Sequence, residues 1–268
     1  MVRVHQLLAG RDFSAAGGAV QSMGASMANF AYLVEGDGGA ALAVDAAWDV
    51  DGVLKFAADR GLRVVAAAFS HRHLDHVGGR VRLNRTLVAV PGLHEFVERG
   101  VPVYVGEDDV EAVAAQAAVD ARNIRVAREG DTVFPGVTVV HTPGHTPGSV
   151  CFRVGDEFIL TGDTLFIGSC GRVDLAESDP VAMARSLARL AAFPRSMRVL
   201  PGHNYARLPE SSIGNEVDFN FVMRESIESL EASSESTLRR NPTLSTSPLP
   251  DYLAAARRAL AEEAARGA

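Results

Sequence analysis

The sequence His71-Arg72-His73-Leu74-Asp75-His76 contains four side chains of metal-binding type within six residues. It directly follows the apolar segment 63–69, whose β-branched and small residues are typical of a buried strand. In an extended segment, side chains two residues apart point to the same side, so His71, His73 and Asp75 can converge while His76 turns into a neighbouring position. Imidazole and carboxylate groups buried together need partners. The segment therefore predicts a metal site at the end of this strand.

Three more candidate ligands lie in turn sequences that follow later strand-like segments. They are His145 in Thr-Pro-Gly-His-Thr-Pro-Gly, Asp163 in Thr-Gly-Asp-Thr, and His203 in Pro-Gly-His-Asn. Each is preceded by a glycine, and such loops carry functional side chains at the edge of a sheet scaffold. Four motifs in this order are hard to explain as packing alone.

The segments between these motifs alternate between strand-like and helix-like patterns. Turn signals and apolar spacing predict a hairpin over 29–44, a helix over 53–60 with an Asp cap, and strands at 63–69, 86–90, 102–105, 137–141, 149–154 and 157–161. Asp179 followed by Pro180 predicts the start of another helix. Beyond residue 205, amphipathic segments at 217–230 and 252–265 predict helices.

Composition and charge argue against a nucleic-acid partner and against a membrane-spanning segment. With 268 residues, 47% of them hydrophobic, the chain can bury a substantial core. A net charge of −7 with scattered arginines argues against a nucleic-acid partner. The apolar runs are too short to span a membrane, and no secretory signal is present, so we expect a cytoplasmic protein.

Taken together, the motifs resemble the metallo-β-lactamase superfamily over about residues 28–205, most of all its glyoxalase II and persulfide dioxygenase branches. The resemblance implies an α/β (α+β) four-layer αββα sandwich, with a catalytic domain at 1–205 and a C-terminal helical appendage at 206–268. It also implies two divalent metal ions, zinc by default, with iron possible. One ion would be held by His71, His73 and His145, the other by Asp75, His76 and His203, and Asp163 would bridge them. His141 is expected to be structural.

The leading functional hypothesis is a dinuclear hydrolase that acts on a thioester or a related activated carbonyl through a metal-bound hydroxide. Asp75 would orient that hydroxide or take its proton. Arg172 and Tyr205 occupy positions that resemble substrate contacts of the thiol-ester branch, although a surface salt bridge and a packed aromatic ring are the structural alternatives. The substrate would be a small-molecule or carrier-bound thioester. The acidic segment 216–221 predicts poor turnover of acyl-glutathione, because this carrier is itself anionic.

Two other functions remain open from the sequence. One is a mononuclear iron persulfide dioxygenase, in which His71, His145 and Asp163 form a facial triad. The other is a non-catalytic domain that keeps the fold, which the complete ligand set argues against. The acyl group, the thiol carrier, the number of ions and the oligomeric state are not specified by these motifs.

Overall fold

A computed structural model of the chain describes residues 3–14, 18–83 and 85–236. Its strands are β1 (Val4–Leu8), β2 (Phe30–Glu35), β3 (Ala40–Val44), β4 (Arg63–Phe69), β5 (Gly79–Leu83), β6 (Thr86–Val90), β7 (Val103–Gly106), β8 (Ile124–Ala127), β9 (Thr132–Phe134), β10 (Val137–His141), β11 (Val150–Val154), β12 (Phe158–Gly162), β13 (Arg198–Pro201) and β14 (Ser211–Ser212). Its α-helices are α1 (Ala19–Met27), α2 (Val50–Ala58), α3 (Leu74–Val77), α4 (Leu93–Glu98), α5 (Val110–Ala117), α6 (Pro180–Ala191), α7 (Ile213–Phe219) and α8 (Phe221–Ser236).

The strands form two six-stranded sheets and a separate hairpin. The first sheet has the order β1-β2-β3-β4-β7-β8, the second has the order β14-β13-β12-β11-β10-β9, and β5 pairs with β6. Strands β3, β4, β7 and β8 run parallel to one another, and β12 runs parallel to β13. Parallel strands end at the same edge of a sheet, so the loops that follow β12 and β13 are neighbours.

Three hydrophobic clusters define the layers. The first cluster joins the outer face of the first sheet to α2, α4 and α5. The second lies between the two sheets and includes Phe30, Val34, Phe152 and Leu160. The third joins the outer face of the second sheet to α6, α7 and α8. Each sheet is thus covered on both faces, and the predicted four-layer αββα sandwich is confirmed.

Local sequence signals explain several element boundaries. The side chain of Asp49 accepts a hydrogen bond from Gly52 N, so α2 begins at Val50, three residues earlier than the apolar spacing suggested. Asp179 accepts from the backbone of the first turn of α6, and Pro180 occupies the first helical position, as predicted. Between β2 and β3 the predicted hairpin tip forms a short 3₁₀ turn at Asp37–Gly39.

The residues that follow position 205 add to the fourth layer. Helices α7 and α8 contact α6, and Ile213, Val222 and Met223 are buried in the same cluster as the α6 side chains. The domain boundary after residue 205 stays a prediction, and the helix predicted over 252–265 lies outside the described residues. Within 3–14, 18–83 and 85–236, no helix has both the length and the apolar character needed to cross a bilayer.

Backbone hydrogen bonds join the two sheets at one edge. Phe30 N donates to Gly202 O at 2.8 Å, and Val150 N donates to Ser70 O, also at 2.8 Å. Asn29 forms an isolated antiparallel bridge with His203. These contacts bring the loop after β4, in the first sheet, against the loops of the second sheet. All seven predicted ligands lie at this edge.

Candidate metal centre

The seven predicted ligands come from four loops that meet at the joined edge. His71 follows β4; His73, Asp75 and His76 lie at or in α3; His145 lies between β10 and β11; Asp163 follows β12; and His203 follows β13. All except His73 and Asp75 are buried. The structure thus brings together every side chain that the motifs singled out.

The backbone of the first motif differs from the sequence expectation. We expected residues 71–76 to be extended, with alternate side chains converging. That geometry is wrong for the second half of the motif, because Leu74–Val77 forms a helical turn. A helix rotates successive side chains by about 100°, so Asp75 and His76 turn away from His73 and face the loop of His203. The helical turn is what divides one motif between two groups of ligands.

The first group consists of His71, His73 and His145. His73 Nδ1 lies 3.1 Å from His71 Nε2 and 2.9 Å from His145 Nε2. Three nitrogens at these separations surround a point that a single cation can occupy. This group has the same members as the first ligand set that the resemblance implies.

The second group consists of Asp75, His76 and His203. Asp75 Oδ2 lies 3.3 Å from His76 Nε2 and 3.3 Å from His203 Nε2, and the two nitrogens are 3.2 Å apart. The ligand atoms of each group lie within 4.8 Å of one another. This second group is as fully assembled as the first.

Asp163 lies between the two groups. Its Oδ1 is 3.3 Å from His76 Nε2 and 3.4 Å from His203 Nε2, and its Oδ2 is 3.6 Å from His145 Nε2. Oδ1 is buried, and no donor among the described residues hydrogen-bonds to it. A buried carboxylate oxygen without a donor is costly unless a cation neutralises it. The position therefore fits a bridge between two cations.

The outer nitrogen of every histidine in the two groups has a hydrogen-bond acceptor. The acceptors are Ser70 Oγ for His71 Nδ1 at 3.0 Å, Glu177 Oε1 for His73 Nε2 at 3.0 Å, Asp45 Oδ2 for His76 Nδ1 at 3.0 Å, Arg172 O for His145 Nδ1 at 2.8 Å, and Met27 O for His203 Nδ1 at 2.8 Å. In a neutral imidazole, each acceptor holds the proton on the outer nitrogen, which leaves the lone pair of the inner nitrogen directed into the group. Facing inner nitrogens about 3 Å apart need a cation between them or, at His76 and His203, a proton that the neighbouring carboxylates stabilise.

Asp45 is a positioning residue that the sequence analysis missed. Its buried carboxylate accepts from Ser70 N at 2.7 Å, from Ser70 Oγ at 2.6 Å and from His76 Nδ1 at 3.0 Å. Because Ser70 Oγ in turn accepts from His71, Asp45 orients one histidine in each group. A signal was present, since Asp45 directly follows the apolar end of the predicted hairpin over 29–44, much as Asp163 follows a strand, but the sequence analysis did not select it.

Asp109 is a second positioning residue that the sequence analysis did not select. It is fully buried, and Oδ2 accepts from Arg72 N at 3.0 Å and from Thr146 Oγ1 at 2.6 Å, while Oδ1 accepts from Gly148 N at 3.2 Å. These donors belong to the loops that carry His73 and His145. The carboxylate therefore links two ligand loops of the first group.

We expect Asp109→Ala to lower the free energy of unfolding of the metal-free protein by about 3 kcal/mol, because it leaves buried donors without an acceptor. Denaturant unfolding followed by circular dichroism measures the change. The neighbouring Asp108 is exposed, and Asp108→Ala is the matched control, with an expected change within about 0.5 kcal/mol. Equal effects of the two substitutions would contradict the linking role.

In this site, burial and ion pairing shift the pKa values of the ionisable side chains in opposite directions. Burial lowers the pKa of His71 well below its usual value. For His76, burial acts in the same direction, but the carboxylates of Asp75 and Asp163 outweigh it and raise the pKa well above the usual value. For His203 the same opposition leaves the pKa at about 9. Burial raises the pKa of the carboxyl groups of Asp75 and Asp163, yet the neighbouring imidazoles hold both pKa values well below their usual range.

Two glycines allow the backbone to approach the ligands. A Cβ atom at Gly202 would lie 2.5 Å from Asp163 Oδ1 and 2.9 Å from His76 Cε1, and a Cβ at Gly171 would lie 2.0 Å from Asp163 O. Any side chain at these positions would displace a ligand. Gly202, in the last ligand motif, and Gly171, outside the motifs, are therefore both required by close approach.

The two predicted substrate contacts lie in different surroundings. The guanidinium of Arg172 is exposed and pairs with Asp174 at 2.9 Å, which raises its pKa, while the backbone carbonyl of Arg172 orients His145. Tyr205 is 59% exposed and stacks on His203 with ring centroids 4.6 Å apart. Burial of part of the ring, together with the nearby carboxylates, raises the pKa of Tyr205 to about 12. Its phenol is therefore neutral and open to a ligand at neutral pH.

The acidic segment 216–221 does not present its charge as the sequence analysis assumed. Glu216 is 1% exposed and accepts from Gly168 N at 2.7 Å and from Asn220 Nδ2 at 2.9 Å. Asp218 pairs with Arg195 at 2.6 Å. The buried Glu216 fixes the loop that carries Phe166, whose ring packs against His203 and Tyr205. Glu216 and Asp218 therefore do not present the free negative charge on which the predicted poor turnover of acyl-glutathione rested.

Comparison with known proteins agrees with this architecture. The model of the metallo-beta-lactamase superfamily matches residues 27–203. Hydroxyacylglutathione hydrolase from Cupriavidus metallidurans is 34% identical over 198 residues, which cover 70% of this chain and 67% of the relative. The structure of TTHA1623 in a di-iron-bound form is 32% identical, with a TM-score of 0.58, over 73% of this chain and 95% of that one. ETHE1 from Myxococcus xanthus is 25% identical, with a TM-score of 0.61, over 90% of this chain and 96% of that one. On these matches, the chain belongs to the metallo-β-lactamase superfamily.

Proposed function

We propose that the site holds two divalent metal ions. His71, His73 and His145 would hold one, Asp75, His76 and His203 the other, and Asp163 would bridge them. The observation that carries this proposal is the set of inner nitrogens and carboxylate oxygens that face one another while every outer nitrogen is hydrogen-bonded. Zinc is the default ion for histidine and carboxylate ligands, and iron is the alternative.

The activity that this arrangement supports best is hydrolysis of a thioester. Two ions bound here would lower the pKa of a water between them and polarise the carbonyl of the substrate. Asp75 Oδ2 faces the same space and is the side chain placed to orient that water or accept its proton. The exposed Tyr205 and the partly buried Phe166 form an aromatic border beside His203, where the substrate would lie. Tyr205 and Arg172 thus stay predicted substrate contacts.

Two observations support our choice of substrate class: the names of the similar proteins and the burial of Glu216. The relatives named hydroxyacylglutathione hydrolase are 33–34% identical to this chain. Because Glu216 is buried and Asp218 is paired, the acidic segment gives no reason to exclude an anionic carrier. We therefore propose a hydroxyacyl-glutathione thioester as the first substrate to test, with carrier-bound thioesters second. The cytoplasmic location stays a prediction.

The test is thiol release by the same preparation in three states: stripped with a chelator, reloaded with zinc, and reloaded with iron(II). We expect the zinc-loaded protein to release thiol from the hydroxyacyl-glutathione and the stripped protein to release none. A thiol-reactive dye measures the product. Absence of thiol release from glutathione and coenzyme A thioesters alike would refute the thioesterase proposal.

An iron persulfide dioxygenase is the second candidate, and the similarity to ETHE1 from Myxococcus xanthus keeps it open. In that case His71, His145 and Asp163 would hold a single iron ion. Oxygen uptake by the iron-loaded protein with glutathione persulfide, without thiol release from thioesters, would favour this candidate over hydrolysis.

A further inference from the structure

A buried hydrogen-bond chain reaches the metal centre from outside the ligand motifs. Asn29 is 1% exposed, and its Nδ2 donates to Asp75 Oδ2 at 2.9 Å. Its Oδ1 accepts from Trp48 Nε1 at 3.0 Å. Trp48 is likewise 1% exposed. The chain therefore runs from an indole through a carboxamide to the carboxylate of the second group.

The indole of Trp48 fixes the direction of both hydrogen bonds. An indole N–H can only donate, so it holds the carbonyl oxygen of Asn29 and leaves the amide nitrogen facing Asp75. The oxygen that receives this bond is the same one that faces His76 and His203. Without the indole N–H, the carboxamide loses the hydrogen bond that holds its oxygen away from Asp75 and its nitrogen towards it.

The indole itself is held tightly. Trp48 N donates to Pro91 O at 2.9 Å, and the backbone of Trp48 has a φ of +70°, which bulky residues rarely adopt. A Cβ atom at Gly24, in α1, would lie 2.8 Å from the ring, so this helix packs directly on the indole. Asn29 therefore has a rigid donor behind it.

We propose that Trp48, acting through Asn29, is a positioning residue that holds Asp75 Oδ2 towards His76 and His203 and so sets the affinity of the second group for its ion. The inference rests on the proposed two-ion site but not on the proposed substrate. Neither residue belongs to the ligand motifs. Two hydrogen bonds, from Trp48 to Asn29 and from Asn29 to Asp75, separate the indole from the carboxylate that would hold the ion.

The experiment is a zinc titration of the metal-free protein against a competing chelator. Asn29→Ala removes the donor to Asp75, and Trp48→Phe keeps an aromatic ring but removes the indole N–H together with part of the ring. We expect Asn29→Ala to raise the Kd of one zinc equivalent by about 10- to 100-fold and to leave the Kd of the other within about 2-fold of the wild-type value. Trp48→Phe should weaken the same equivalent.

The double variant gives the sharpest result. If Trp48 acts through Asn29, Trp48→Phe should cause no further loss in the Asn29→Ala background. Ser226→Ala is the matched control, because it removes a buried hydrogen bond to Val222 O in α8. This substitution should leave the affinity for both zinc equivalents unchanged. Circular dichroism confirms the fold, and Trp48→Phe serves alone if Asn29→Ala does not fold.

Trp48 is the single tryptophan of the chain, so its emission gives a second readout. In the wild-type protein, emission should respond to the zinc equivalent that the variants weaken. In Asn29→Ala the response should move to higher free zinc.

Three outcomes would overturn the inference: additive losses in the double variant, equal weakening of both equivalents, or unchanged zinc affinity in both single variants. A wild-type protein that binds only one zinc equivalent would instead remove the two-ion site on which the inference rests, and would therefore overturn both. Failure to hydrolyse thioesters would not affect it, since the titration contains no substrate.

Discussion

Replacing Asp75 with asparagine is expected to leave the fold intact, weaken one metal equivalent and lower kcat by about 10²- to 10⁴-fold. Asp75 Oδ2 lies 3.3 Å from both His76 Nε2 and His203 Nε2. The substitution replaces this anionic oxygen with a neutral amide group, which binds cations less strongly and cannot accept a proton from water. Circular dichroism, metal analysis and steady-state kinetics measure the three effects.

A matched control for Asp75→Asn is Asp59→Asn, because Asp59 is exposed and pairs with Lys55 at the surface. We expect the control to keep both metal equivalents and full turnover, since exposed pairs contribute little. Wild-type turnover by Asp75→Asn would show that Asp75 neither binds an essential ion nor serves the attacking water.

Substituting His145 with alanine should remove one metal equivalent together with measurable turnover. His145 Nε2 lies 2.9 Å from His73 Nδ1, so its loss opens the first group on one side. Three-ligand sites that lose one histidine bind zinc far more weakly. Metal content after dialysis against metal-free buffer measures this loss.

The matched variant is His141→Ala, four residues earlier in the chain. His141 Nε2 donates to Pro147 O at 3.0 Å, away from the seven ligands. We expect this variant to keep both equivalents and to show at most a modest loss of stability, of about 1 kcal/mol for one hydrogen bond. The reverse result, with metal retained in His145→Ala and lost in His141→Ala, would mean that the sequence motif was assigned to the wrong histidine.

The sequence by itself identified the family and the layered fold, and it predicted the seven candidate ligands that the structure brings together. It could do so because the chemistry is concentrated in short motifs that follow strands, such as residues 71–76 and the turn before His145. Helix caps such as Asp179 act within three residues and are equally local. Side chains that must meet at a sheet edge can be recognised when each follows a strand end.

The sequence was less informative about the backbone inside the motifs and about charge exposure. The helical turn at Leu74–Val77 replaced the expected extended segment, and this turn divides the ligands into two groups. Glu216 was interpreted as a surface charge, but packing of α7 against the loop of Phe166 buries it. Burial of a carboxylate depends on which segments pack together, and composition carries no record of that packing.

Only the tertiary structure decided which side chains hold the ligands in place. Glu177 bonds to His73 from 104 residues away, Asn29 to Asp75 from 46, and Asp109 to Thr146 from 37. These contacts join residues with no fixed spacing, so they leave no periodic pattern in the sequence. A buried polar group must find a partner wherever the fold places one. The positioning of this metal centre is therefore a property of how the two sheets and their loops pack, whereas its chemistry is a property of the motifs.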